Sequence, residues 1–211
     1  MKLYEYFRSS ASYRLRIALN LKQVTAQTMH IHLLRNGGEQ HSPAYRAINP
    51  QGRVPCLVLD DDTVLIQSPA ILEWLEETFP QPPLLPTGAL ARAHVRGIAA
   101  LIACDIHPLN NSSVLAYLKN ELQQPQAAVD AWYAHWIRVG FEALEQMISA
   151  PFSCGDAVSL ADVMLVPQVA NARRMNVDLS PFPRIVAVEH TCLALAAFAD
   201  ARPEMQPAAT Q

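Results

Sequence analysis

The chain has 211 residues, 51% hydrophobic and 17% charged, which is enough apolar material for one or two compact domains. Its net charge of −3, without a Lys/Arg cluster, argues against nucleic acid or an anionic membrane as the main partner. The four cysteines show neither C-x-x-C nor zinc-ligand spacing, and no apolar run could span a membrane, so we expect buried thiols and a cytoplasmic protein.

The first eighty residues alternate between strand-like and helix-like hydrophobic spacing. Residues 2–7 predict a strand, and a helix follows with apolar positions from Leu15 to Leu21. Ser68 then predicts the N-cap of a later helix, with Pro69 at its first position. The order of elements predicts an α/β domain with a mixed four-stranded sheet over residues 1–80. Its remaining elements are an extended segment at 26–33, a short helix at 44–48, hairpin strands at 56–59 and 63–66, and the helix at 68–79.

A proline-rich connector at 81–88 separates this domain from a second one, because neither a helix nor a strand continues through it. Every long segment beyond it has helical spacing, which predicts an all-α domain over residues 89–211. Ser159 and Asp162 form a capping-box pattern that opens one helix toward Arg174. The other helices are predicted at 91–118 with a bend near Pro108, at 127–148 and at 183–198, and about ten disordered residues end the chain.

A corner rich in hydroxyl groups connects the first strand to the first helix. Arg8, Ser9 and Ser10 stand where that helix begins, and the free N–H groups and the positive dipole end of a helix both stabilise an anion there. A thiolate is such an anion, but the chain places no cysteine at this corner. A thiolate at this place would have to come from a ligand.

Two further motifs fit a ligand that binds at the same side of the sheet. Val54-Pro55 precedes the hairpin, where a cis bond would turn the Val54 backbone outward to pair with an extended peptide; an ordinary turn proline is the alternative. Gln67-Ser68 begins another helix and offers a second anion site, unless Ser68 is only a cap. With Ser9, these motifs match the thiol, the peptide backbone and the carboxylate of glutathione.

These motifs resemble the zeta class of glutathione transferases. The signature of that class, Ser-Ser-Cys-x-x-Arg-Val-Arg-Ile-Ala-Leu, is matched by residues 9–19 except at Ala11 and Leu15. The alanine argues against a role for a protein thiol here, but not against the thiolate that glutathione carries. The resemblance implies a thioredoxin-like N-terminal domain, an all-helical C-terminal domain, glutathione as cofactor and a homodimer. Further matches are the segments at 36–40, 49–50, 54–55, 67–68, 105–111, 166–172 and 177–179.

The resemblance also implies roles for single residues. Ser9 and Ser10 would hold the thiolate as the catalytic residues, the Val54 backbone would pair with the cysteinyl unit, and Gln67 and Ser68 would hold the γ-glutamyl carboxylate. The full set assigned to glutathione is Ser9, Ser10, Gln40, Val54, Gln67, Ser68, His107 and Asn111.

Arg8 and Arg174 are the candidates for binding substrate carboxylates, because a guanidinium matches a carboxylate with two parallel hydrogen bonds. A surface salt bridge is the alternative for each of them. We interpret Arg14 and Arg16 as structural and Arg173 as a bystander. His30-x-His32 resembles a metal-ligand spacing but lacks carboxylate or cysteine partners, so we interpret it as one face of a strand and expect no metal.

The activity that the resemblance implies is glutathione-dependent cis–trans isomerisation of maleylacetoacetate to fumarylacetoacetate, by reversible addition of a thiolate to the double bond. Maleylpyruvate is the alternative substrate; Ser112 and Ser113 favour maleylacetoacetate, because hydroxyl groups add no further carboxylate clamp. Two other interpretations stay open: a conjugating or dehalogenating transferase, and a non-catalytic binding module.

Overall fold

A mixed four-stranded sheet organises the first part of the chain in the computed structural model, which describes residues 1–210. The strands β1 (Lys2–Glu5), β2 (Gln27–His30), β3 (Cys56–Val58) and β4 (Val64–Ile66) lie in the order β2-β1-β3-β4. β1 is parallel to β2 and antiparallel to β3, which forms the hairpin with β4. The mixed sheet and the hairpin are thereby confirmed. Each strand is shorter than the segment predicted for it.

Three helices accompany this sheet: α1 (Ser10–Lys22), α2 (Pro43–Ile48) and α3 (Ser68–Thr78). The prediction that Ser68 caps α3 was wrong. Gln67 holds the cap position, with a φ of 70° and no capping hydrogen bond from its side chain. Ser68 is the first residue inside the helix, and its Oγ accepts a hydrogen bond from the Arg14 guanidinium instead.

The following part of the chain is helical, as predicted, but two of the predicted helices are divided. Asn111 starts a new helix after the bend, because its side chain accepts a hydrogen bond from the Ser113 N–H at 3.0 Å. Ser159 and Asp162 form the predicted capping box. The elements are α4 (Ala89–Ala100), a π-helical turn (Leu101–Ile106), α5 (Ser112–Asn120), α6 (Gln126–Met147), α7 (Leu160–Arg174), α8 (Pro183–Leu193) and α9 (Ala196–Ala199).

The described chain divides into two compact units, and the change from one to the other lies between Pro83 and Leu84, within the predicted linker. The first unit also contains the chain from Ala194 onward, which the sequence pattern places in the helical domain. The reason is that α1 holds this segment by hydrogen bonds to its backbone carbonyls. In each bond a side chain of α1 donates to a carbonyl: Tyr13 Oη to Phe198 (3.2 Å), Arg16 Nε to Ala201 (2.9 Å) and Asn20 Nδ2 to Ala197 (3.1 Å).

The end of the chain is also more ordered than the sequence predicts. Short 3₁₀ turns occupy Pro203–Met205 and Pro207–Thr210 in place of the expected disorder, and Gln211 lies outside the described residues. No helix within residues 1–210 is long and apolar enough to cross a membrane.

Candidate functional site

One end of the sheet collects the predicted ligand-binding segments of the first unit. Glu5 at the end of β1 pairs with His30 at the end of β2, and Tyr4 pairs with Cys56 at the start of β3. Cys56 in turn pairs with Ile66 at the end of β4. The corner after β1, the loop after β2, the turn before β3 and the start of α3 after β4 therefore all leave the sheet at this end. The prediction that these motifs share one side of the sheet is confirmed.

Ser9 caps α1 and still has a proton to donate. Its backbone is extended, and its half-buried Oγ accepts a hydrogen bond from the Ser12 N–H at 3.2 Å. Its own hydroxyl proton has no acceptor within the described residues. Ser10 follows as a buried first residue of the helix. The corner thus combines an available hydroxyl proton with the positive end of a helix, which suits an anion.

The Val54–Pro55 peptide bond is cis. The turn before it is fixed through the Arg53 carbonyl, which accepts hydrogen bonds from Asn49 Nδ2 at 2.8 Å and from the Tyr45 hydroxyl at 2.6 Å. The N–H and C=O of half-buried Val54 form no hydrogen bond within residues 1–210. An immobilised turn that ends in an unpaired backbone amide is suited to pair with an extended peptide.

The start of α3 is a second candidate anion site. Gln67 adopts a φ of 70°, an unfavourable conformation for a residue with a side chain, and its Nε2 donates to Gln51 Oε1 at 2.8 Å. The buried Ser68 hydroxyl accepts from Arg14 Nη1 at 3.2 Å, so its own proton is directed away from that guanidinium. No sequence signal pointed to Gln51, and the position of Arg14 inside α1 led us to interpret it as purely structural. Gln51 and Arg14 hold the side chains of Gln67 and Ser68, respectively, by these hydrogen bonds.

Gln40 lies in a 3₁₀ turn (Glu39–His41) that follows β2. Its Nε2 donates weakly to the Leu33 carbonyl at 3.4 Å and lies 3.1 Å from His41 Nε2. Its buried Oε1 has no partner among the described residues. A buried acceptor without a donor is costly, so this oxygen would be stabilised by an N–H group of a ligand.

The protein's own thiols are poor sources of a thiolate. All four cysteines are free, and burial raises the pKa of Cys56 to about 11 and raises the pKa values of Cys154 and Cys192 as well. These three thiols stay protonated at neutral pH, and the fourth, Cys104, is exposed in the π-helical turn of the second unit.

In the second unit, His107 and Asn111 lie on the single loop that joins the π-helical turn to α5. The His107 N–H donates to the Ile102 carbonyl at 2.9 Å, and Asn111 Oδ1 accepts from the N–H and the hydroxyl of Ser113. Within residues 1–210 the Asn111 amide N–H groups have no acceptor, and both predicted residues are half-buried. Trp132, interpreted from the sequence as core packing, also holds this loop, through a 2.7 Å hydrogen bond from its Nε1 to the Leu109 carbonyl.

The arginines differ in their partners. Arg173 forms an ion pair with Glu189, whose two carboxylate oxygens accept from its Nε at 2.9 and 3.0 Å. Exposed Arg174 donates from Nη2 to Asn171 Oδ1 at 3.1 Å, and within residues 1–210 it has no carboxylate partner. Arg8, in the first unit, is also exposed without a carboxylate partner in that range, and its guanidinium lies 5.1 Å from the centre of the Phe7 ring. Arg8 and Arg174 therefore keep their charge for an external anion.

The histidine pair offers no metal centre. His32 Nδ1 accepts hydrogen bonds from the backbone N–H groups of Leu34 and Arg35, at 3.2 and 2.9 Å, while His30 ends β2. Across the described part of the chain, no group of three or more His, Cys, Asp or Glu side chains is arranged to hold a metal ion.

Comparison with known proteins identifies the family of the chain. Residues 8–78 match the family of the glutathione S-transferase N-terminal domain. The maleylacetoacetate isomerase of Pseudomonas aeruginosa is 50% identical over 208 residues, which cover 98% of each chain. The holo structure of a maleyl pyruvate isomerase, a bacterial zeta-class glutathione transferase, superposes with a TM-score of 0.94 at 48% identity, covering 98% of this chain and 99% of the other.

A third relative contains a bound ligand of direct interest. The maleylacetoacetate isomerase of Anaeromyxobacter dehalogenans, in a crystal structure with dicarboxyethyl glutathione and citrate in its active site, has a TM-score of 0.86. It is 40% identical, covering 98% of this chain and 95% of the other. Full-length similarity of this degree, together with the serine corner at α1, shows that the chain belongs to the zeta class of glutathione transferases.

Proposed function

We propose that the protein is a glutathione-dependent cis–trans isomerase that converts maleylacetoacetate to fumarylacetoacetate. The observation that carries the proposal is the Ser9 corner: a hydroxyl proton without an acceptor among the described residues stands at the start of α1, in a chain whose buried thiols stay protonated. This corner suits a thiolate brought by a ligand. The names of the full-length relatives point to the same reaction.

The atoms left open within residues 1–210 fit glutathione. The unpaired backbone amide at Val54 suits its cysteinyl unit, and the start of α3 at Gln67 and Ser68 suits its γ-glutamyl carboxylate. The Gln40 Oε1 acceptor requires a donor, which an amide N–H of glutathione would supply. We assign His107 and Asn111 of the second unit to the remainder of the cofactor.

When bound, glutathione supplies a thiolate that adds reversibly to the double bond, so that rotation and loss of the thiolate give the trans isomer. Ser9 donates a hydrogen bond to the sulfur, and with the helix start, where Ser10 lies, it should lower the thiol pKa from about 8.5 to about 6–7. Arg8 and Arg174 bind substrate carboxylates, and their charge stabilises the negative charge that develops on the substrate.

Two other activities use the same thiolate. Maleylpyruvate is the alternative substrate, and relatives of similar identity bear either name. Ser112 and Ser113 are exposed, and the Ser113 hydroxyl donates to Asn111, so neither supplies a cation for an additional carboxylate. This favours maleylacetoacetate. A conjugating or dehalogenating transferase would use the same groups but would consume glutathione.

We further propose a homodimer that works in the cytoplasm, in the catabolism of aromatic amino acids. Val64 and Ile66 on the edge strand β4 are 39% and 37% exposed, which favours contact with a second copy. The free cysteines and the need for reduced glutathione suit a reducing compartment. Light scattering should give about twice the 23.3 kDa mass of the chain; a monomeric mass would contradict the dimer.

The proposal is tested by a spectrophotometric assay of both substrates, with and without glutathione. We expect isomerisation to depend on glutathione and kcat/KM to be higher for maleylacetoacetate. A preference for maleylpyruvate would reverse the substrate assignment. The absence of turnover on either substrate, with glutathione still bound, would indicate a binding module.

A further inference from the structure

The last two residues of α7 are both arginines, but they are held in opposite ways. Arg173 is neutralised by the buried carboxylate of Glu189 in α8. Arg174 is held, within the described residues, by an uncharged group. Its Nη2 donates to the amide oxygen of Asn171, one helical turn earlier, at 3.1 Å.

Tyr133 of α6 is also near Arg174, but its buried hydroxyl forms no hydrogen bond within the described residues. Tyr133 is only 2% exposed, and Asn171 only 7%, so both side chains are fixed by the surrounding core. Burial raises the pKa of Tyr133, and the adjacent Arg174 guanidinium opposes that rise without overcoming it. The phenol therefore stays protonated at neutral pH and does not cancel the charge of the arginine.

We propose that Asn171 is a positioning residue that orients the Arg174 guanidinium for a substrate carboxylate without neutralising it. This inference rests on the proposed function, in which Arg174 binds the diacid. A carboxylate in place of the Asn171 amide would orient the guanidinium equally well, but it would compete with the substrate for the charge. The neighbouring Arg173 is paired in this way with Glu189, and its charge is neutralised.

The substitution Asn171→Asp separates orientation from charge. It keeps the shape and the acceptor oxygen, so a purely structural residue would tolerate it. If the neutrality of Asn171 matters, the affinity for malonate should fall about tenfold to a hundredfold, the range for one charge-assisted hydrogen bond. Malonate is a suitable probe because it is a dicarboxylate without a double bond and cannot react with the thiol.

The measurement is calorimetric titration of malonate into protein saturated with glutathione. Glutathione affinity and Tm should stay close to those of the wild-type protein. Asn176→Asp is the matched control: it adds the same charge at an exposed position five residues further along, and malonate affinity should change less than about threefold because solvent screens it. Equal malonate affinity in Asn171→Asp and wild type would overturn the proposal, and so would equal losses in both aspartate variants.

Asn171→Ala keeps the test decisive if Asn171→Asp folds poorly. It removes the acceptor without adding a charge, and we expect malonate affinity to fall about two- to tenfold and the substrate KM to rise correspondingly, with kcat less affected. Unchanged malonate affinity in this variant would overturn the role of Asn171.

A pair of lysine substitutions distinguishes failure of this inference from failure of the proposed function. Arg174→Lys keeps the charge but loses the two-pronged geometry, so it should weaken malonate binding, whereas Arg173→Lys should lower Tm and leave malonate affinity unchanged. If Arg174→Lys binds malonate normally, the carboxylate-binding role of Arg174 fails, and the inference with it. If only the two Asn171 variants behave as wild type, the inference alone fails.

Discussion

The Ser9 hydroxyl can accept and donate a hydrogen bond at the same time, and within residues 1–210 only its acceptor is engaged. Ser9→Ala removes the cap of α1 and also the donor that we assign to the thiolate. We expect kcat/KM for isomerisation to fall about ten- to a hundredfold, the scale for loss of one preorganised donor to a charge. The lost cap should cost about 1 kcal/mol of stability, measured by urea unfolding.

Ser9→Gly separates these two effects, because glycine costs only a few tenths of a kcal/mol at an N-cap but has no side chain that can donate. It should restore most of the stability without restoring the rate. If Ser9→Gly were as active as the wild-type protein, the helix start alone would hold the thiolate and the role assigned to Ser9 would be wrong.

The buried thiol of Cys56 makes stability depend on alkaline pH. In the unfolded chain this thiol ionises near its ordinary pKa of 9.0, whereas in the folded protein burial raises the pKa to about 11. Between these values the unfolded state releases a proton and the folded state does not, so the free energy of unfolding should decrease as the pH rises from 9 to 11. Below this range the contribution is fully present.

In Cys56→Ala that decrease should become shallower, as followed by Tm from neutral pH to about pH 11. The exposed Cys104 provides the control, since Cys104→Ala should leave the slope unchanged. An identical slope in Cys56→Ala and wild type would show that other groups, among them the buried Tyr45 and Cys192 whose pKa values burial also raises, account for the whole effect.

Among the elements, α6 makes a very close approach to the π-helical turn at Gly140. A Cβ at this position would overlap the Cγ1 and Cδ1 atoms of Ile106, which is fully buried and cannot move aside freely. Gly140→Ala should therefore reduce the free energy of unfolding by about 1–3 kcal/mol, as overpacking does. Urea unfolding measures the change.

Gly97 in α4 is the matched control, because no described atom outside its own helix lies within 4 Å of the Cβ that an alanine would add there. Gly97→Ala should stabilise the protein by up to about 1 kcal/mol through helix propensity alone. Destabilisation of similar size in both variants would contradict the packing explanation for Gly140.

Elements whose signals are local could be predicted from the sequence, and those decided by tertiary contacts could not. The capping box at Ser159 and Asp162 is a contact within one turn, so its pattern is visible in the chain. Ser68 looks locally like a cap, but the guanidinium of Arg14, 54 residues earlier, engages its hydroxyl inside the helix. The π-helical turn before Pro108 carries no signal that differs from ordinary helical spacing.

For the whole molecule, the order of the domains could be predicted from the sequence. The unit to which the last residues belong could not. The apolar spacing of 183–198 indicates a helix, and nothing in it reveals that α1 holds the segment around α9 through Tyr13 and Arg16. The residues that we assign to glutathione were predicted through family motifs. Asn171 lies three residues before Arg174, a spacing that predicts their contact.

The central claim is that the protein uses glutathione as a cofactor that it regenerates, and the fate of the free thiol tests it most directly. Maleylacetoacetate in large excess over glutathione is incubated with the enzyme, while fumarylacetoacetate is followed by absorbance and free thiol by titration. We predict many product molecules per glutathione and a constant concentration of free thiol. Loss of one thiol per turnover, or isomerisation at the same rate without glutathione, would contradict the account.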